Sequence, residues 1–320
     1  MSRPGFKAAL LHPRYWPMWF GLGLLWLVVR LPFSVLLRLG RLLGWGMYHL
    51  MAERREIARI NLELCFPQWS AEQRNRVLRE NFASNGIALF EMAMAWWWPP
   101  RRLAKLARIE GLEHLQQAAA AGQGVVLMSL HFTTLEIGAA LLGQRATIDG
   151  MYREHRNAAF DYVQRRGRER HNADAIAVER EDVRSMLKSL RKGRGIWYAP
   201  DQDYGRKASV FVPLFGIPAA TVTATATFAR LGKARVVPFT QTRLPDAQGY
   251  QLTVHPPLEN FPQGDEEADA LRINQWVEQE ILRQPEQYMW VHRRFKTRPE
   301  GEVRPYPERT RKRRKRKSPD

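Results

Sequence analysis

Cysteine is nearly absent: one residue in 320, Cys65. That excludes an intrachain disulfide framework and any cysteine-rich zinc or iron–sulfur site, and it fits a chain that works in a reducing compartment. The apolar setting of Cys65 marks it as a buried structural thiol rather than a nucleophile. No Gly-x-Ser-x-Gly elbow occurs, which disfavours an acyl-enzyme hydrolase of the α/β type. Neither a Walker loop nor Gly-x-Gly-x-x-Gly follows any predicted strand, which argues against nucleotide and dinucleotide chemistry. Acidic residues are too few to balance the basic ones: 32 Asp and Glu stand against 50 Lys and Arg, a net charge of +18. Such an excess implies an anionic partner, whether nucleic acid, membrane lipid or a phosphorylated substrate. Nucleic acid lacks support, since no recognition-helix signature, zinc-ligand spacing or RNA-binding aromatic motif accompanies the charge.

What is present is a chain that is 45% hydrophobic, long enough to bury a substantial core and excluding disorder over most of its length. Tryptophan is abundant, with Trp16, Trp19, Trp26, Trp45, Trp96, Trp97 and Trp98 all in the first hundred residues. Indole prefers the membrane–water boundary, so the anion of choice is lipid. The stretch 309–320 holds eight basic residues and one acidic residue without apolar positions, and reads as a disordered tail that touches anionic surfaces. Each of its basic residues near an anionic leaflet adds on the order of 1 kcal/mol.

Residues 15–29 are uncharged and mostly apolar, and after Arg30 the apolar run resumes over 31–37. A spanning helix needs roughly 20 apolar residues, so 16–37 qualifies only if Arg30 snorkels or faces a protein or headgroup surface. The expectation is a membrane anchor in residues 1–51, spanning in preference to lying flat. The flat alternative draws on residues 33–51, where Arg38 and Arg41, with Arg30 in phase, fall on one helical face opposite Leu and Trp. A cleaved signal peptide is disfavoured by the length and Trp content of the run and by the lack of a small-residue cleavage site.

Beyond residue 52 the periodicity predicts helices over 54–64, 71–94, 132–142, 158–170, 182–192, 222–231 and 266–282. Strands are expected over 124–130, 146–152, 175–178, 195–199, 234–241 and 251–254. This alternation predicts an α/β fold, a mixed and mostly parallel sheet flanked by helices. No internal repeat or linker divides it, so residues 52–305 form one catalytic domain, followed by a basic tail from 306 to 320. In such sheets the sites gather beyond the carboxyl ends of the strands.

His131 stands where the 124–130 strand ends, and Glu136 follows five positions later. Five residues rotate about 140° on a helix, which suits neither two metal ligands on one face nor the i, i+4 zinc pattern. A turn at His131 can instead fold the imidazole back toward the carboxylate. Glu136 then fixes the tautomer while His131 takes a proton from an attacking hydroxyl, a general base without a protein nucleophile. The plainer reading is a helix-start His and a solvated Glu. Arg153, after the 146–152 strand, is placed to meet a phosphate or to pair with Glu154. Among Arg165, Arg166, Arg168 and Arg170 at least two must face solvent, and Arg168 is the candidate ligand. Asp201 and Asp203 follow the 195–199 strand on the same sheet edge as His131, where they can bind sugar hydroxyls, orient an Arg or resemble a Mg²⁺ site. His292, Arg293, Arg294 and Lys296 make a basic knot suited to a phosphate or carboxylate, or a solvated charge run.

Taken with these segments, His131-Phe132-Thr133-Thr134-Leu135-Glu136, Tyr152-Arg153-Glu154-His155, Arg165-Arg166-Gly167-Arg168, the 199–205 segment (Ala-Pro-Asp-Gln-Asp-Tyr-Gly) and the 286–299 segment (beginning Glu-Gln-Tyr-Met-Trp), the sequence resembles the lysophospholipid acyltransferase superfamily. It resembles more closely the late acyltransferases of lipid A biosynthesis, over a stretch running from the membrane segment to about residue 305. The superfamily signature is His, four residues, then Asp or Glu, and Glu136 fits the lipid A branch. The last two segments look like those of lauroyl-type enzymes that act on a Kdo-bearing precursor. What the resemblance implies is a glycerolipid acyltransferase-like fold and transfer of a fatty acyl chain from acyl carrier protein to a hydroxyacyl chain of a phosphorylated lipid A precursor. It implies catalysis by His131 and Glu136, substrate contacts from Arg153, Arg168, Asp201, Asp203, His292, Arg293 and Arg294, and no metal or cofactor beyond the acyl-carrier co-substrate. The implied setting is the cytoplasmic face of a bacterial inner membrane. Two alternatives remain at this point: an acyltransferase for a glycerolipid, ornithine lipid or mannosylated inositol lipid, and a non-catalytic protein that binds anionic lipid.

Overall fold

The structure is a computed structural model that describes residues 5–152, 154–179 and 182–307. Arg153 and the basic stretch 309–320 lie outside the described residues. The chain opens with helices α1 (Trp16–Val28), α2 (Phe33–Leu50), α3 (Ala52–Cys65) and α4 (Ala71–Trp97), then a short α5 (Pro100–Ala104). The alternating part follows: β1 (Ala107–Glu110), α6 (Leu112–Ala120), β2 (Val125–Met128), α7 (Leu135–Gly143), β3 (Ile148–Tyr152), α8 (Ala158–Glu169), β4 (Ala177–Glu179), α9 (Val183–Arg191) and β5 (Gly195–Tyr198). It closes with β6 (Ser209–Leu214), β7 (Ile217–Val222), α10 (Ala224–Gly232), β8 (Arg235–Arg243), β9 (Tyr250–Val254) and α11 (Glu266–Arg283). Helix starts follow local chemistry. Ser70 and Gln73 form a reciprocal capping box at α4, and Asn157, Asp182 and Asp265 accept from the first-turn N–H groups of α8, α9 and α11.

The main sheet runs β1-β9-β8-β2-β5-β3-β4. All neighbours are parallel except β8 and β9, so the sheet is mixed and mostly parallel, as the alternation predicts. Every residue of β2 is buried, and alternate side chains divide between two cores: Val126 and Met128 pack with α3, α9, α10 and α11, while Val125 and Leu127 pack with α4, α6 and α7. The continuous apolar run is thus that of a central strand covered on both faces.

Helices α5 and α6, strand β1 and the β6–β7 hairpin escaped the sequence reading. β1 is a four-residue edge strand that alternates half-buried and exposed residues. The hairpin β6–β7 carries Pro213 opposite Pro218, which argues against a strand on pattern alone, and turns through Phe215 and Gly216, both at positive φ. Phe-Gly is not a common sequence for that turn, so the signal was weak.

The expectation of a spanning helix is corrected. Among the described residues no helix is long and apolar enough to cross a membrane. α1 has 13 residues, about 20 Å of helix against a hydrocarbon core of roughly 30 Å. The break after it is fixed from outside: Trp98 Nε1 donates to Val29 O at 2.6 Å and Arg102 to Leu31 O at 3.0 Å. Arg30 sits in this break with its guanidinium 4.2 Å from the Trp26 ring centroid, not on the α2 face. α2 does not oppose its arginines to its apolar side as expected. Leu36, Gly40 and Gly44 turn inward on α4, while Arg38, Arg41, Leu42 and Trp45 share the exposed outer face. Tyr306, expected in the tail, is buried, with its hydroxyl 2.5 Å from Asn61 Oδ1.

α2 and α4 cross where side chains are missing. A Cβ on Gly86 would stand 2.2 Å from Gly40 O and 2.4 Å from Gly44 N. The helices approach backbone to backbone, and no flexible side chain can move aside. Gly86→Val is expected to destabilise the fold by about 1–3 kcal/mol, read as a lowered Tm, whereas an unchanged Tm contradicts this packing.

Candidate active site

β2 and β5 are parallel neighbours in the register Met128↔Tyr198, and Ser129 N–H extends the pairing by donating to Tyr198 O at 2.9 Å. His131 and Asp201 each lie three residues past those paired positions, so they reach the carboxyl edge level with one another. Asp201 Oδ2 accepts the His131 backbone N–H at 3.0 Å, and its Oδ1 lies 2.6 Å from His131 Nδ1. The Asp201 carboxylate is fully buried while the imidazole remains 21% exposed. Burial pushes the Asp201 carboxyl up, but the charge of His131 and the hydrogen bonds from its ring and backbone outweigh burial, and the net shift is downward. Asp201 is therefore an anion at neutral pH. It holds the proton on Nδ1 and leaves Nε2 as the basic nitrogen for a substrate.

Sequence spacing assigned that orienting role to Glu136, and the structure gives it to Asp201. The reason is local. Residues 131–134 form a turn, closed by Leu135 N–H on Phe132 O at 3.1 Å, and α7 begins only at Leu135. The imidazole is therefore set by the strand end and not by helical phase. Glu136, in the first turn of α7, forms a two-point ion pair with Arg168 of α8, Nε to Oε2 at 3.1 Å and Nη2 to Oε1. Spacing could not show this pair, because its members are 32 residues apart.

The turn is gripped from its other side. Met289 N–H donates to His131 O at 3.0 Å, Thr133 N–H donates to Gln287 O at 2.7 Å, and Phe132 bridges Tyr288. Helices α3 and α4 hold this 287–292 strap: Asn81 Nδ2 donates to Glu286 O and Tyr288 O, and Asn61 Nδ2 to Trp290 O and His292 O. Behind Thr133, its hydroxyl meets Ser84 Oγ at 2.6 Å, and Ser84 accepts from Arg243. Arg243 in turn forms a buried two-point pair with Glu91 at 2.6 and 2.7 Å, which Tyr250 joins. None of Asn61, Asn81, Ser84, Glu91, Gln287 or Arg243 was picked from sequence. Asn61 and Asn81 within helices, and Glu91 inside an otherwise apolar stretch, were the available signals, since such residues are tolerated there only when partnered.

The other candidates separate. Asp203 is buried and engaged within the protein: it accepts from Thr297 N–H at 2.7 Å, Thr297 Oγ1 at 2.9 Å and Gly205 N–H at 2.8 Å. Arg294 is buried on Ala220 O and Thr221 Oγ1, a brace for the hairpin. Arg293 reaches Glu53 at 3.3 Å. His292 is lowered to about 4 by burial and by the charge of Lys296, so it is neutral at pH 7 and adds no positive charge for a phosphate. Much of the basic knot is thus engaged within the protein, Arg294 and Lys296 on backbone carbonyls and Arg293 on Glu53. No group of three metal-ligating side chains assembles among the described residues.

His131, Glu136 and Arg168 line a cleft of about 970 Å³ together with Tyr204 and Met289. Its other wall is apolar, formed by Leu43 and Met47 of α2 and Leu89 and Met92 of α4. A base with a polar floor and a hydrocarbon wall suits an amphiphilic substrate carrying a hydroxyl.

The family model described as bacterial lipid A biosynthesis acyltransferase matches residues 3–297. The chain is 48% identical to a lipid A biosynthesis lauroyltransferase of Escherichia coli (strain K12), over 93% of this chain and 97% of that one. It is 46% identical to a lipid A biosynthesis palmitoleoyltransferase of the same organism, over 93% and 96%, and 31% identical to a myristoyltransferase, over 95% and 94%. Among solved structures, the 1-acyl-sn-glycerophosphate acyltransferase PlsC from Thermotoga maritima aligns with 79% of this chain and 95% of its own, at 13% identity and a TM-score of 0.35.

Asp201→Asn is expected to lower kcat by about 10²–10⁴-fold with little change in KM, because the wrong tautomer is then favoured. Glu136→Gln, which frees Arg168, is expected to act more on KM for a phosphorylated acceptor. Steady-state kinetics of the pair decide: a normal kcat for Asp201→Asn beside a collapsed kcat for Glu136→Gln returns the orienting role to Glu136.

Proposed function

Since the chain belongs to the bacterial lipid A biosynthesis acyltransferase family, we propose that it moves a fatty acyl chain, lauroyl by preference, from acyl carrier protein to a hydroxyacyl chain of a Kdo-bearing phosphorylated lipid A precursor. The observation that carries this reading is the His131–Asp201 pair opening on a cleft with one apolar wall. His131 Nε2 takes the proton of the acceptor hydroxyl as its oxygen attacks the thioester carbonyl. The new C–O bond forms, the C–S bond breaks, and the imidazolium returns its proton to the departing thiolate. Asp201 stabilises that imidazolium without itself being protonated. The reaction needs no metal or cofactor beyond the acyl-carrier co-substrate.

Arg168, one of two described guanidinium groups lining the cleft with Arg156, is positioned by Glu136 and is the one we assign to a substrate phosphate. Arg153 remains a further candidate on its sequence position. The protein works at the cytoplasmic face of the inner membrane, with its amino-terminal helices lying in the interface. Trp16, Phe20, Leu24, Leu27, Leu42 and Trp45 are exposed on α1 and α2 beside Arg38 and Arg41, a mixture suited to the headgroup–acyl boundary. α2 also forms part of the apolar wall of the cleft, with α4, so a lipid acceptor can slide in from the bilayer without crossing water. The net charge of +18 suits both an anionic leaflet and an acidic carrier protein. Family membership favours a lipid A acceptor over a glycerolipid, ornithine lipid or mannosylated inositol lipid, and favours catalysis over passive lipid binding.

Incubation with a tetraacylated, Kdo-bearing precursor and lauroyl-acyl carrier protein is expected to add one lauroyl mass by mass spectrometry, and His131→Ala to abolish it while membrane attachment persists. A His131-dependent product on glycerolipid with none on the lipid A precursor overturns the acceptor assignment.

A further inference from the structure

A second hollow of about 140 Å³ lies behind the cleft, between α7, β3 and α8. The two share Leu135, Glu136, Met151, Tyr152, Arg168 and Trp197 in their walls, so they adjoin at the Glu136–Arg168 ion pair. Past that pair the inner hollow is built mostly from apolar and small residues. Of the polar residues at its margin, Asn172 donates through Nδ2 to Gly143 O and Ala146 O at 3.2 Å each and to Thr147 Oγ1, His171 donates through Nε2 to Ala95 O at 2.5 Å, and Glu169 pairs with Arg165. A narrow apolar recess beside a base and an ion pair fits a hydrocarbon chain better than a sugar or a phosphate.

Gly150 lies in the wall of that recess. Ile148, Gly150 and Tyr152 alternate onto one face of β3, and all three line the hollow. Asp149 points the other way, onto Arg194 at 2.6 and 2.7 Å. Glycine within a strand lacks a packing side chain and has an entropic cost, so it needs a reason. Neither usual reason applies here. Gly150 is not at positive φ, and a Cβ on it would meet nothing within 4 Å. By contrast, a Cβ on Gly167 would strike Trp96 at 2.4 Å, and one on Gly195 would strike Ile148 at 2.5 Å. Those two glycines allow close packing, whereas Gly150 leaves space empty.

We propose that this inner hollow receives the distal methylenes of the donor's acyl chain and that Gly150 sets the longest chain accepted, with the Glu136–Arg168 pair forming the mouth. The inference rests on the acyl-transfer reading of the site and adds to it a residue that determines donor length. Filling the space over Gly150 should reject the longest chains while leaving the base, the ion pair and shorter donors untouched.

The test is a competition assay. The full chain, and its Gly150→Val and Gly150→Leu variants, are given an equimolar mixture of acyl carrier protein thioesters from octanoyl to palmitoyl, with products resolved by mass. The preferred donor is expected to shorten by two carbons or more, with the kcat/KM ratio between adjacent even-numbered donors moving by at least about tenfold. Ala139→Leu narrows the same hollow from α7 and is expected to shift the profile in the same direction, so it carries the test if the glycine variants do not fold. Folded variants with an unchanged length profile overturn the proposal, as does an equal loss with every donor. A wild-type chain inert toward all donors instead overturns the acyl-transfer reading, and the two failures are thereby distinct.

Discussion

The site depends on one fully buried carboxylate and on the parallel register that brings it level with His131. A buried anion is tolerable only when its lone pairs are engaged. Asp201 engages them on a single partner, taking both the backbone N–H and the ring nitrogen of His131. One contact thereby fixes the turn and the tautomer together. Because β2 and β5 end in step, this placement needs no loop to find its own conformation, and the imidazole emerges at the sheet edge already oriented.

The rest of the molecule braces that arrangement. The 287–292 strap closes on the far side of the turn and is held by asparagines of α3 and α4, so those helices directly support the sheet edge that carries His131. The Glu91–Arg243 pair ties α4 to β8 behind Thr133, and leaving either ion unpaired in that core is costly, on the order of 3–5 kcal/mol. α4 thus has two tasks: with α2 it forms the apolar wall of the cleft, and its polar residues hold the turn and strap opposite. An apolar surface and an oriented imidazole thus share one scaffold, which suits the proposed reaction between a membrane-borne hydroxyl and a soluble thioester.

Much of this was legible in the sequence. The fully apolar runs at β2 and β5 gave the central parallel strands, and their carboxyl ends pointed to His131 and Asp201 as occupants of one edge. The family followed from the resemblance carried by its motif segments. What could not be read was which carboxylate faces the imidazole. Helical spacing made Glu136 the natural partner, but the turn over 131–134 decouples His131 from α7, and only the strand register reveals Asp201. The residues of the 286–299 segment were misread for a related reason. Basic side chains in a row look like an anion site, yet Arg294 and Lys296 are engaged with backbone carbonyls of the hairpin and of Asp203, contacts between segments more than 70 residues apart. The amino-terminal apolar run was visible, but its break at residues 29–32 is fixed by Trp98 and Arg102, which no local pattern discloses.

The central claim is that Asp201, and not Glu136, sets the state of the base. The ¹⁵N NMR signature of His131 in labelled protein near neutral pH tests it most directly. The account predicts the tautomer protonated at Nδ1 in the wild-type chain, lost in Asp201→Asn and preserved in Glu136→Gln. An Nε2-protonated ring in the wild type, or a tautomer that changes with Glu136 and ignores Asp201, contradicts it.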